Sequence, residues 1–204
     1  MNGREWFTTA TAGFQRVLAA MRESQLGDPG LGEWEIRSLL GHTCRAFTTI
    51  ETYLAAALNN PPAPVLHGPA DYFQAAAAGL ADPAQVTQRG RDAGTALGEH
   101  PIDAAKDIVQ RVADLVSGTA DNAVAATPLG GILLADYLPT RAFEVTVHGI
   151  DLALATQQEV PMELLDAAAP AVALCAVIAR PDQRLAALMA LTGRQDLPPG
   201  FTVL

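Results

Sequence analysis

Apolar residues recur along this chain at three- and four-residue steps, and that period decides what it can fold into. Phe7, Phe14, Val17, Leu18 and Met21 form one series, and Ile36, Leu39, Leu40, Phe47, Ile50 and Leu54 a second. Ile108, Val112, Leu115 and Val116 form a third. Such spacing puts each series on one side of a helix, as an inward face requires. Alanine runs at residues 55–57 and 75–78 add the highest helix propensity and favour close helix packing. Half of the residues are hydrophobic but only 5% are aromatic, so the core must be built mainly from Ala, Leu, Val and Ile. The expected fold is all-α: an antiparallel four-helix bundle with additional C-terminal helices.

Breakers divide the chain. A first helix is expected over 5–24, ended by Gly27-Asp28-Pro29-Gly30, and a second over 35–58. The N-cap of the second falls to Gly32 or Glu33, because Glu35 is a poor cap. Asn59-Asn60-Pro61-Pro62-Ala63-Pro64 opens a loop, since consecutive prolines cannot continue helical hydrogen bonding. Shorter helices are expected over 72–81 and 83–97, and a long one over 102–116. Residues 118–131 read as a loop with a turn at Pro128-Leu129-Gly130-Gly131. The segment 138–156 reads as helix with Pro139 in its first turn, where a missing N–H is not needed. Val145, Thr146 and Val147 lean locally towards strand. An apolar stripe of Leu138, Ala142, Val145, Gly149 and Leu152 favours helix. Helices then follow over 162–179 and 181–191, and the tail 193–204 is irregular. A length of 204 residues fits one large domain, or one with a small appendage.

Glu144 and His148 stand four residues apart in Arg141-Ala142-Phe143-Glu144-Val145-Thr146-Val147-His148-Gly149-Ile150-Asp151-Leu152. On a helix such a pair shares a face with Cβ atoms about 5–6 Å apart, close enough to grip one ion. On a strand the same pair would lie roughly 13 Å apart, too far for one ion. His42 ends the helical run Trp34-Glu35-Ile36-Arg37-Ser38-Leu39-Leu40-Gly41-His42. Hydrogen-bonded helix histidines beside an exposed Glu are the other arrangement these residues allow.

The two stretches, Trp-x-x-Arg-x-Leu-x-x-His and Arg-x-x-Glu-x-x-x-His-x-x-Asp-Leu, resemble those of the mycothiol-dependent maleylpyruvate isomerase family, of the DinB-like superfamily of four-helix bundles. The resemblance runs from Phe7 to Leu154. It implies His42, Glu144 and His148 as metal ligands and the thiol of mycothiol as the group bound at the metal. Family members usually carry Ser or Thr where Glu35 stands, and often Asp where Ser38 stands. Complete isomerases of the family add an α/β domain after the bundle. Here the residues after the second motif read as helical apart from Phe201-Thr202-Val203-Leu204. The expected organisation is therefore a metal-binding bundle over 1–156 and a helical extension over 157–204 packed on it.

Two imidazoles and a carboxylate suit a divalent ion, Zn²⁺ first and Ni²⁺, Fe²⁺ or Mn²⁺ as the others. Three protein ligands leave a position open for water or substrate, the arrangement of a catalytic site. Asp151, three residues beyond His148, is placed to accept the second ring N–H, and Arg141 to neutralise Glu144 or meet an anionic substrate. The expected activity is a thiol-dependent isomerase or S-transferase acting on a small-molecule electrophile. The alternative is a non-enzymatic metal-binding or regulatory bundle. A homodimer is allowed.

Other classes lose support. The formal charge of −9, without a basic cluster, would repel a phosphate backbone, so no nucleic-acid partner is expected. No apolar run is long enough to cross a bilayer, and no signal pattern opens the chain, so no membrane partner and a cytoplasmic location are expected. Cys44 and Cys175 lack CxxC spacing, which suits a reducing compartment. Cys44, two positions from His42, points to another helix face, and Cys175 reads as a small core residue. Trp34 reads as a core anchor, and His67 and His100 as surface residues. There is no Ser nucleophile elbow and no phosphate-cradling glycine loop.

Overall fold

The structure, a computed structural model, describes residues 1–78 and 83–203. Its elements run α1 (Gly3–Ala20), a 3₁₀ turn (Glu23–Gln25), α2 (Ile36–Ala57), β1 (Pro64–Leu66), α3 (Pro69–Ala78), α4 (Pro83–Ala96) and α5 (Pro101–Gly118). They continue as β2 (Val124–Thr127), β3 (Gly130–Leu133), α6 (Leu134–Ala155), α7 (Met162–Ile178) and α8 (Pro181–Leu191). The four long helices α1, α2, α5 and α6 pack on one another as a bundle, with α4 along α2 and α7 along α1 and α6. The end of the short helix expected over 72–81 lies outside the described residues.

The core follows the apolar series with one shift on α5, where Val109 is buried while Ile108 and Leu115 are only half-buried. Phe7, Phe14, Phe47, Ile50, Val109 and Val112 are almost wholly buried. The Phe47 ring lies 5.6 Å from that of Phe7 and 5.9 Å from that of Phe14, so three of the chain's six Phe residues tie α1 to α2. The α1 start is held by a capping box: Asn2 accepts from the Glu5 amide at 2.9 Å, and the Glu5 carboxylate accepts from the Asn2 amide at 2.8 Å.

Neither of the other two key helix starts follows from its local sequence. Glu35 is the N-cap of α2 but gives no side-chain cap, which displaces the expected Gly32 or Glu33. The first amides of α2 go instead to loop carbonyls, Ile36 N–H to Asp28 and Arg37 N–H to Leu26, both at 2.9 Å. At α6, Leu134 N–H reaches the Ala123 carbonyl at 2.7 Å and Ala135 N–H that of Asp121 at 3.0 Å. The helix therefore starts four residues before the expected Leu138, and Pro139 lies inside it rather than in its first turn.

The loop expected over 118–131 is instead part of a small sheet. β2 and β3 form an antiparallel hairpin, and β1, from the proline-rich stretch after α2, adds parallel to β3 in the order β1-β3-β2. These strands are three or four residues long, too short to show an alternating pattern, and Gly and Pro obscure them further. Leu66, Ala125 and Ile132 are their buried apolar contribution to the core.

Two close approaches at glycines set how the outer helices pack on the bundle. Gly41 of α2 and Gly94 of α4 meet backbone to backbone, and a Cβ at Gly94 would stand 2.7 Å from the Arg37 carbonyl oxygen. That brings α4 against the turn that carries His42. Leu164 of α7 wedges between Gly13 of α1 and Gly149 of α6, where added Cβ atoms would lie 2.7 and 3.2 Å from its side chain. Residues 193–203 form neither helix nor strand, and the tail returns to α8, where Gln183 donates to the Thr202 carbonyl at 2.7 Å. No helix among the described residues is long and apolar enough to cross a membrane.

Candidate metal centre

The second motif lies on α6, which is helical through Val145-Thr146-Val147 despite their strand preference. Tertiary packing overrides propensity there. Val145 and Thr146 are buried, and Thr146 donates to the Ala142 carbonyl at 2.6 Å while accepting from the Trp6 indole at 3.3 Å. Glu144 and His148 therefore share a face, with His148 Nε2 3.4 Å from Glu144 Oε2. His42 comes from α2, and its ring meets that of His148 edge-on at 4.8 Å between centroids. One ligating atom from each of the three residues lies within 4.8 Å of the others.

The surroundings orient the two imidazoles differently. His148 Nδ1 lies 3.0 Å from Asp151 Oδ2, and because a carboxylate only accepts, Nδ1 carries the hydrogen and Nε2 faces Glu144. Burial works against a charge on His148, but the hydrogen bonds to Asp151 and Glu144 outweigh it and raise its pKa to about 9. His42 packs against the Trp34 ring at 4.6 Å. Burial, followed by the nearby His148, lowers its pKa to about 4, so it is neutral at pH 7. Its Nδ1 is buried with no hydrogen-bond partner among the described residues. A buried ring nitrogen left unpaired costs free energy unless something else meets it. Burial raises the Glu144 pKa, but His148 and Arg141 more than compensate, so Glu144 stays an anion.

Arg141 is buried beneath this cluster, its guanidinium 5.3 Å from the Tyr72 ring centre and 4.9 Å from that of Tyr137. Tyr137 donates to Thr49 Oγ1 at 3.1 Å, which fixes its ring. Arg141 makes no ion pair within 4 Å among the described residues, so its charge acts on Glu144 through space. Beside His42 and Glu144 opens a cavity of about 200 Å³, lined by Arg45, Arg89, Arg141, Tyr53 and Tyr72. Neither Arg45 nor Arg89 was expected from the sequence: Arg45 had a signal, since it stands one turn after His42, whereas Arg89 comes from α4, whose docking rests on the Gly41–Gly94 approach.

Trp34 is buried as an anchor, and its indole donates to the Thr87 carbonyl at 2.9 Å, pinning α4. Cys44 lies in the core, where burial raises its thiol to about 12, and it is absent from the ligand cluster. Cys175 is half-buried, and His67 and His100 are exposed.

The residues suit a divalent ion on three counts: two imidazoles with an anionic carboxylate, an unpaired buried nitrogen on His42, and a carboxylate orienting His148. No curated protein matches the chain significantly. A solved structure, the crystal structure of the mycothiol-dependent maleylpyruvate isomerase, is similar at a TM-score of 0.55 and 17% identity, covering 82% of this chain and 68% of that one. That likeness supports the fold. The family of the mycothiol maleylpyruvate isomerase N-terminal domain matches residues 7–153, and these include both motifs and all three clustered residues; the chain belongs to this family.

Proposed function

We propose that His42, Glu144 and His148 hold a divalent metal ion, Zn²⁺ first, and that the protein is a thiol-dependent isomerase or S-transferase using mycothiol or a similar small thiol. When bound, the ion supplies Lewis acidity that favours the thiolate form of such a thiol. Three protein ligands leave room for that sulfur. Asp151 accepts from His148 Nδ1, which leaves Nε2 as the nitrogen that would ligate once an ion displaces its proton. Glu144 is kept ionised by its neighbours, and Arg141, packed against two tyrosine rings, adds positive charge beside it.

The cavity beside the cluster fits the second reactant. Arg45, Arg89 and Arg141 make it cationic in a chain of net charge −9, so it favours a small electrophile bearing carboxylates. A thiolate held there either adds to an activated double bond, allowing rotation before it leaves, or displaces a leaving group. The first outcome is isomerisation and the second S-transfer.

The observation that carries this reading is the convergence of the three ligating atoms within 4.8 Å. It is tested with untagged protein, by elemental analysis and then by loading Co²⁺ and adding mycothiol. The expected result is about one metal per chain and a new sulfur-to-cobalt absorption band on thiol addition. Metal binding without a thiol response would leave a metal-binding module, and absence of metal binding would end the proposal.

A further inference from the structure

Helix α7 is apolar on two opposite sides, and among the described residues only one of them is covered. Leu164, Ala167, Ala171 and Leu174 are buried against α1 and α6. At 100° per residue the opposite stripe consists of Met162, Leu165, Ala169, Val172, Ala173 and Ala176, and every one of them is exposed. Met162 is 66% and Val172 54% exposed. A surface helix ordinarily turns a polar face to water, and a helix apolar all round is normally buried on all sides. Helix α8 extends the pattern: Leu185, Leu188 and Leu191 are exposed, and no other helix among the described residues packs along it. Of thirteen large apolar side chains exposed among the described residues, eight fall within 162–197, so the excess is local to this end of the molecule.

We propose that this surface joins two copies of the chain, with the α7 helices packed antiparallel about a two-fold axis at Ala169. The stripe is self-complementary, as such an interface demands. With Ala169 on the axis, residue numbers facing each other sum to 338. Met162 then faces Ala176 and Leu165 faces Ala173, large against small, while Ala169 faces itself and lets the helix backbones approach closely.

Charge and area agree with a second copy as the occupant. Asp166 is the only charge at the edge of the outer stripe, and it faces Val172 of the other copy. The two Asp166 carboxylates are thus offset by six residues, about 9 Å along the axis. Two chains of charge −9 repel one another over most of their surface, and a face whose one charge lies at its edge is where they can meet. The exposed α7 stripe alone supplies several hundred Å², on the order of the apolar centre of an interface that takes about 800 Å² from each partner.

The test is sedimentation velocity of the wild-type chain beside Ala169→Arg, with circular dichroism to check folding. The wild type is expected at twice its 21.3 kDa mass and Ala169→Arg as a folded monomer. Site-directed crosslinking supplies an independent reading in a Cys175→Ser background. Ala169→Cys should form an intermolecular disulfide on mild oxidation. Met162→Cys should not, because its copy lies 14 residues away along the axis, about 21 Å. A monomeric wild type, a dimer that survives Ala169→Arg, or equal crosslinking at both positions would each overturn the proposal. So would a monomer that binds phosphatidylcholine vesicles through this face, since the occupant would then be lipid.

Discussion

Helices α6 and α7 follow one another in the chain and are both rich in apolar residues, yet they are put to different use. α6 is enclosed by α1, α2, α3 and α7, and the polar side chains it carries inwards are answered: Thr146 by Trp6, His148 by Asp151, and Arg141 by two tyrosine rings. α7 is enclosed on one side only, and its open side carries almost no polar groups to satisfy. Composition alone does not separate the two. The neighbours decide whether a helix positions chemistry or offers a surface.

The largest effect expected from breaking this contrast is on metal binding. His148→Ala removes a proposed ligand from α6 without opening the core, because His148 is only part-buried at the edge of the bundle. Metal affinity should fall by more than about 100-fold, since losing a partner outside the ligand set already costs about 10–100-fold. Far-UV circular dichroism should be unchanged. Full metal content in the purified variant would show that the ligands are wrongly assigned.

Next comes the covered side of α7. Leu164→Ala empties the wedge between Gly13 and Gly149, where the glycines have no side chains to move into the space. The expected loss is about 2–5 kcal/mol, read from denaturant unfolding at dilution. Trp34→Ala should cost about 3–5 kcal/mol for the same reason, and it also removes the surface against which the His42 ring rests. A loss below 1 kcal/mol in either variant would mean that the helix is not anchored where the packing indicates.

Asp151→Asn follows in size. Asn can keep an acceptor near His148 Nδ1 while the negative charge is lost, so metal affinity should fall by about 10–100-fold with the unfolding midpoint little changed. Unaltered affinity in both Asp151→Asn and Asp151→Ala would show that the 3.0 Å contact does not orient the ring for ligation.

These effects also mark what the sequence could disclose. That Glu144 and His148 share a face follows from their spacing once the segment is helical, and the 3.6-residue stripe outweighed three β-branched residues in that judgement. His42 joined them through family resemblance, since nothing in its own neighbourhood fixes which helix it will face. Arg89 was hidden because its place depends on two glycines meeting across helices α2 and α4. The early start of α6 was hidden because its first amides are satisfied by carbonyls of the preceding loop rather than by a capping side chain. The three-stranded sheet was hidden because strands of three or four residues carry no readable period. Tertiary partners, not local propensity, decided each of these.

The smallest expected effect sharpens the contrast most, because it sets adjacent residues of α7 against each other. Leu165 follows Leu164 in sequence but is 49% exposed, whereas Leu164 is fully buried. In dilute solution Leu165→Ala removes atoms that already contact water, so unfolding should shift by no more than about 0.5 kcal/mol. At high concentration the outcome depends on whether the outer stripe is covered. If two copies pair through it, the wild type gains stability with concentration by mass action, and Leu165→Ala loses part of that gain. Unfolding curves for the wild type, Leu164→Ala and Leu165→Ala at low and high protein concentration separate the two sides of the helix. Leu164→Ala should lower stability at both concentrations, and Leu165→Ala only at the higher. A Leu165→Ala loss as large as that of Leu164→Ala at dilution would mean that the outer stripe is already buried within one chain, and the difference between α6 and α7 would disappear.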